Sequence, residues 1–413
     1  MIADLALDGG VSANAGAPGN AGSGAGSNGG AGEGGRNDGG AGASAAGSGE
    51  LAAWCSGRGG LSLIRGDGQN ELACAGGLAA RSFGLALCAC GSAIGPGSIS
   101  TASSLPDGSL QNRGAAVGMN GAGMPLSAAP GAVPAASSSL PGFASLGGDL
   151  VLAGQSALQL APGAQRVMGD LLSRAPIASG PGQSSLRVDG DAWLPAVSPL
   201  DPSALVVGGE LVLSPEGESA ADSQRWSAAR ATGGVRRADT SLSPPCACDA
   251  QQSPDVQATV AWAATHNDNA QLGFAPERLS SVAEPTTLAL PCGRYHFPTI
   301  DGPGELRLRI DQPVALFVGD LLGVIAIELG PQGSLDLFVS GSFQPRGGRL
   351  GDPLRPSATR VYVHDQPMPG PLAMLGELVS NFYGPTVGVQ AFGVLRRGSM
   401  VVRDLIVNDS LRV

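Results

Sequence analysis

Seven cysteines carry the clearest chemistry in this chain: Cys55, Cys74, Cys88, Cys90, Cys246, Cys248 and Cys292. Four of them form two Cys-Ala-Cys pairs, Cys88/Cys90 and Cys246/Cys248. Positions i and i+2 of a strand share a face, so two such pairs can meet as two disulfides or as a four-thiolate zinc site. Zinc sites more often place two residues between paired cysteines, which favours disulfides; free thiols are the third outcome. One pairing joins Cys55 to Cys74 and the Cys88/Cys90 pair to Cys246/Cys248, leaving Cys292 odd. Spacing alone does not fix the connectivity.

Other reactive groups are sparse. His266, His296 and His364 are scattered and read as turn or surface residues. Asn267-Asp-Asn269 could ligate calcium, but it lacks the alternating spacing and distal Glu of a calcium loop and reads as a solvated turn. Arg65-Gly66-Asp67 matches an adhesion tripeptide, and three residues match too often by chance to mean more than a turn. There is no Walker loop and no serine-hydrolase elbow. The expectation is no catalytic residue, no metal and no cofactor.

Composition narrows the class. Of 413 residues 66 are Gly and 31 Pro, while aromatics make up 4% and charged residues 14%, so turns and strands should outweigh helices. A formal charge of -10 argues against nucleic acid or an anionic membrane as partner. Every basic side chain is Arg. No apolar run is long enough for a membrane helix, so no transmembrane span is expected.

The elements that would position these residues announce themselves by repetition. Leu146-Gly-Gly-Asp149-Leu, Val167-Met-Gly-Asp170-Leu, Val188-Asp-Gly-Asp191-Ala and Val206-Val-Gly-Gly-Glu210-Leu place acidic residues 21, 21 and 19 positions apart. Farther on, Val314-Ala-Leu-Phe-Val-Gly-Asp320 aligns with Leu335-Asp-Leu-Phe-Val-Ser-Gly341 at a shift of 21. A period near 20 is that of stacked units, none able to bury its apolar face alone. The fold class expected is all-β: a parallel β-helix-like solenoid with coils of about 20 residues, preceded by a disordered Gly-rich tether. Each acidic residue should sit at a corner, capping backbone amides there or, less favoured, forming a ladder for cations. Arg307, Arg309, Asp336 and Arg360 alternate with apolar neighbours, so the C-terminal strands should be buried on one side only. Their last edge should be shielded by partners or by the final residues.

Four segments follow. Residues 1–50 form a Gly/Ala/Ser-rich tether; 51–145 form a small Cys-containing segment with a low-complexity linker. Residues 146–245 hold a first solenoid section and polar spacer, and 246–413 a C-terminal solenoid domain. The N-terminus lacks a basic, apolar export signal, although the tether looks like the spacer that follows one and a misplaced start would hide it.

A resemblance adds to this. The strings Leu290-Pro-Cys-Gly-Arg-Tyr-His296, Ala315-Leu-Phe-Val-Gly-Asp320, Leu335-Asp-Leu-Phe-Val-Ser-Gly341, Arg360-Val-Tyr-Val363 and Asn381-Phe-Tyr-Gly-Pro385 resemble a C-terminal β-solenoid domain of Gram-negative surface proteins. Those proteins include PilX-like pilus-assembly proteins. The likeness covers roughly residues 246–413. Upstream, Ser82-Phe-Gly-Leu-Ala-Leu-Cys-Ala-Cys90 is similar to part of long exported lipoprotein-like members. Members often carry a Tyr-Ala-Pro string, here Tyr383-Gly-Pro385, and end near a Tyr-Asp pair, here Asn408-Asp-Ser-Leu-Arg-Val413. The resemblance implies an envelope location and a structural role, with no catalytic residues to carry over.

The reading is therefore a non-catalytic envelope or surface protein, structural or adhesive, its partner an envelope polysaccharide or another surface protein. Two rivals stand beside it. A carbohydrate-active β-helix enzyme would need paired carboxylates across a cleft. A self-associating bactofilin-like scaffold would suit a chain without a signal but not seven cysteines.

Overall fold

The computed structural model describes residues 46–56, 62–66, 69–72, 83–91, 93–94, 98–104, 110–111, 115–121, 142–154, 158–160, 162–179, 183–216, 218–239, 242–246, 248, 254–347, 349–364 and 371–413. The tether expected over 1–50 lies outside them up to residue 45, as do Cys74 and Asp67. A helix, Ala46–Cys55, begins within the last residues of that segment.

Residues 46–413 form one compact unit in which strands predominate and nearly all pairing is parallel. The repeats seen in the sequence are the register of the sheet. Leu150 pairs with Leu171, Leu171 with Ala192 and Ala192 with Leu211, so the acidic phrases stack. Val314 pairs with Leu335, and Phe317 with Phe338, at the shift of 21 read from the sequence. A separate three-stranded parallel sheet, Thr286–Leu290, Glu305–Ile310 and Val324–Leu329, runs alongside; Arg307 and Arg309 face solvent on it.

The order of strands in space is not the order in the chain. From one end the main ladder runs Gly293–Ile300, Pro313–Leu321, Ser334–Val339, Thr359–Val363, Asn381–Arg397 and Met400–Val407. The next strand is Leu87–Ala89, from the N-terminal part of the chain, followed by Val117–Met119 and Leu150–Leu152. The ladder then continues through the acidic phrases to Val235–Arg237. The seam is wide: Leu405–Ile406 pair with Ala93–Ile94, and Ser410–Arg412 with Ser98–Ser100. The last C-terminal edge is thus covered by Leu87–Ala89, Ala93–Ile94 and Ser98–Ser100 of the same chain, correcting the expectation that partners or the final residues shield it. One sheet also crosses the position expected to divide residues 51–145 from 146–245, through Thr101–Leu146 and Val117–Leu150.

Side chains alternate between an interior and an outer face. One interior row reads Leu316, Leu337, Val361, Phe382, Met400, Leu87, Val117, Leu150, Leu171, Ala192 and Leu211, all buried. The outer face of the C-terminal strands is buried as well. Ala315, Phe317, Phe338, Tyr362, Tyr383 and Val401 form a second apolar cluster, which corrects the expectation of one-sided burial. Asp336 and Arg360, taken as solvent-side charges, pair with each other at 2.7 Å (Oδ2 to Nη2), Asp336 being 1% exposed.

The edge at Gly293–Ile300 is closed by side chains. Beyond Gly293–Ile300, the Asp268 N–H donates to Arg294 O, and the Arg294 N–H to Asp268 Oδ2. Asn269 Nδ2 donates to His296 O while its Oδ1 accepts from His296 N, so the side chain imitates a neighbouring strand. The turn read at Asn267-Asp-Asn269 is therefore an edge cap. At the other end Trp226 is fully buried in the interior, its indole N–H donating to Ala196 O at 2.7 Å.

Candidate functional site: the cysteine-bridged outer face

The outer face of the ladder is where the chain concentrates its reactive and aromatic residues. Register alone aligns His296, Phe317, Phe338, Tyr362, Tyr383, Val401 and Cys88 in one row. Ring centroids lie 5.2 Å apart for Phe317 and Phe338, and 4.6 Å for Phe338 and Tyr362, both stacked. Tyr383 continues the row at 6.3 Å. Phe83 lies over its far part, 6.2 Å from Tyr362 and 6.3 Å edge-on to Tyr383.

Two short helices cover this row. Helix Val256–Ala263 buries Val256, Val260 and Ala263 against it; Asp255 starts the helix by accepting the Ala258 N–H at 2.9 Å. Helix Ala46–Cys55 brings in Trp54, 7% exposed. Neither segment is long enough to hold its place as an isolated helix. Disulfides supply what the helices lack.

Three bridges fasten the cover: Cys55–Cys292, Cys88–Cys246 and Cys90–Cys248. The two Cys-Ala-Cys pairs meet, whereas Cys55 bonds Cys292 and not Cys74, because its helix lies beside the start of strand Gly293–Ile300. This corrects the scheme that joined Cys55 to Cys74 and left Cys292 odd. Between the paired bridges, Asn120 holds the crossing chain by accepting the Cys246 N–H at 2.9 Å and donating to Cys246 O at 2.8 Å. No cluster of metal-ligating residues occurs among the described residues.

The acidic phrases are built differently from this row. Asp149 Oδ1 accepts the Asp170 N–H at 2.8 Å, Asp170 Oδ1 accepts the Asp191 N–H at 2.8 Å, and Asp191 Oδ1 accepts the Glu210 N–H at 2.7 Å. Each carboxylate caps the amide of the next repeat, as Asp320 also does for Ser342. The glycine preceding each donor amide is required by this contact: a Cβ on Gly190 would stand 2.1 Å from Asp170 Oδ1. Burial, then the Asp149 and Asp191 charges, push the Asp170 carboxyl above its ordinary range against the Asp191 amide. Asp170→Ala should cost about 1–3 kcal/mol by orphaning that amide, and Asp170→Asn clearly less, since its oxygen still accepts. Urea unfolding midpoints of the two variants check this.

The histidines do not converge. His266 is exposed and stacks on Trp262 at 4.6 Å, His364 follows the strand Thr359–Val363, and His296 heads the aromatic row. Burial lowers the His296 pKa. With its folded value below the ordinary 6.5 or so, the unfolded chain binds the extra proton first, so stability falls as pH drops through that value. Urea midpoints should decline as pH falls from neutral through the ordinary histidine range, and His296→Phe should abolish that part of the decline. The carboxylates act at lower pH. Asp189, opposed by burial but bonded by Arg166 and Arg187, is held below the usual range, so its contribution is lost only in stronger acid.

Carboxylates in the surface grooves are engaged too. Glu305 and Glu328 both pair with Arg307, at 2.7 and 3.3 Å, and Asp352 pairs with Arg355 at 2.9 Å. Asp201, in another groove, accepts the Ser203 N–H at 2.9 Å.

No protein-family model matches this chain, and neither a curated protein nor a solved structure does. No helix among the described residues is long and apolar enough to cross a membrane.

Proposed function

We propose that this chain is a tethered β-solenoid of the cell envelope or surface, non-catalytic, acting as a structural or adhesive element. The observation that carries the reading is the set of three bridges joining cysteines 158 or 237 positions apart across the outer face. Bridges of that span form and persist in oxidising compartments outside the cytosol. Parallel ladders stepping by about 20 residues around a shared apolar interior support the solenoid. The resemblance of residues 246–413 to a domain of exported surface proteins supports the location. Partners, on this reading, are envelope polysaccharide or other surface proteins met along the elongated faces.

Mass spectrometry of the protein from fractionated native cells tests the proposal. Peptides linked as Cys55–Cys292, Cys88–Cys246 and Cys90–Cys248 from the envelope fraction, with a processed or acylated N-terminus, are expected. Seven free thiols in the cytosolic fraction would sink the reading and return the bactofilin-like scaffold to the front.

A further inference from the structure

One cation is turned into the apolar interior. Arg396 is 1% exposed; it pairs with Leu378 across the sheet and points inward with Leu378 and Phe382. Its Nη2 donates to Ser380 O at 2.8 Å and Ser399 O at 3.0 Å, and the guanidinium stands 5.4 Å from the Phe382 ring centre. Its Nε and Nη1 reach no acceptor among the described residues. Burial pushes its pKa down to about 9, which leaves it charged at neutral pH.

Two hydroxyls share its layer. Arg360 pairs with Asn381, so Thr359 and Ser380, one residue earlier on each strand, lie side by side. Both are fully buried and alternate with the interior residues Val361 and Phe382. Their Oγ atoms also lack a partner among the described residues. The group therefore gathers N–H and O–H donors around a fixed positive charge, with no carboxylate among the described residues to answer it. A buried unpaired charge is far more costly than a buried neutral polar group. Water would bring two further donors and no charge; a small anion brings only acceptors and cancels the charge.

We infer that Arg396, with Ser380 and Thr359, binds a small monovalent inorganic anion of the halide class inside the sheet stack. An anion held only by the folded chain stabilises it by mass action.

The test uses the full chain with its bridges intact, unfolded in urea and refolded in sodium bromide or in sodium gluconate at equal ionic strength. Above the dissociation constant, each tenfold rise in bromide should raise the folding equilibrium constant by up to about tenfold, gluconate having no such effect. Crystals grown from bromide should show an anomalous peak beside Arg396 Nε and Nη1. Arg396→Met should remove the peak and the bromide dependence. Should that variant not fold, Thr359→Val combined with Ser380→Ala keeps the charge and should weaken the bromide dependence. Equal stability in bromide and gluconate, or an anomalous map featureless at Arg396, would overturn the inference.

Discussion

Replacing Cys88 and Cys90 together with serine should destabilise the protein by about 7 kcal/mol, while either replacement alone should cost only about 2 kcal/mol, as chain-entropy estimates for long and short closed loops. The asymmetry comes from geometry. Cys88–Cys246 and Cys90–Cys248 each close the same 158-residue separation, so the first bridge bears nearly all the loop entropy and the second closes only a few residues more. Removing one leaves the long loop closed. Urea unfolding of the two single variants and the double variant gives the coupling directly, and additive costs would show that the bridges act independently. Cys55–Cys292 closes a different loop and should contribute on its own scale, about 5 kcal/mol by the same chain-entropy estimate.

Phe338→Ala should cost about 3–5 kcal/mol, as much as truncating an interior Leu such as Leu337. On a sheet buried on one side the outward residue would be nearly free to change. Here Phe338 is 1% exposed, stacked between Phe317 and Tyr362, in the cluster completed by Val256, Val260 and Trp54. Truncation also loosens the helices above it, so proteolysis within residues 254–263 should accelerate with the loss of stability. Matched costs for Phe338→Ala and Leu337→Ala, measured from urea midpoints, would establish two cores of comparable weight. A cost below about 1 kcal/mol for Phe338→Ala, the range of an exposed position, would show the outer row to be superficial.

The register was legible because it is written in residue types. Gly-Asp returns every 19 to 21 positions since the carboxylate must reach the next amide and only glycine leaves it room. The second core was half legible. Val314–Val318 is an unbroken apolar run, the pattern of a strand covered on both faces, but Asp336 and Arg360 disguised its neighbours as solvent-facing by pairing with each other. The matching Cys-Ala-Cys spacing allowed the two pairs to meet as two disulfides, although Cys246 and Cys248 lie outside any strand, whereas nothing near Cys55 marks Cys292 as its partner. The seam between Leu87–Ala89 and Met400–Val402 left no motif, because parallel pairing is made by backbone groups that every residue carries. Arg396 escaped for a related reason: beside Arg397 it looks like an ordinary surface pair.

That seam also sets a clock. The ribosome delivers residues 87–237 first, with the Leu87–Ala89 edge and the interior beneath it bare until Met400–Val407 emerges. At roughly 5–20 residues per second, the roughly 300 residues between the two strands take about 15–60 s to synthesise, long compared with hydrophobic collapse. Throughout that interval the nascent chain offers a parallel-sheet edge to any other nascent copy. A circular rearrangement that joins the present ends and opens the chain near residue 240 would make strands in the order in which they stack, and should aggregate less during synthesis.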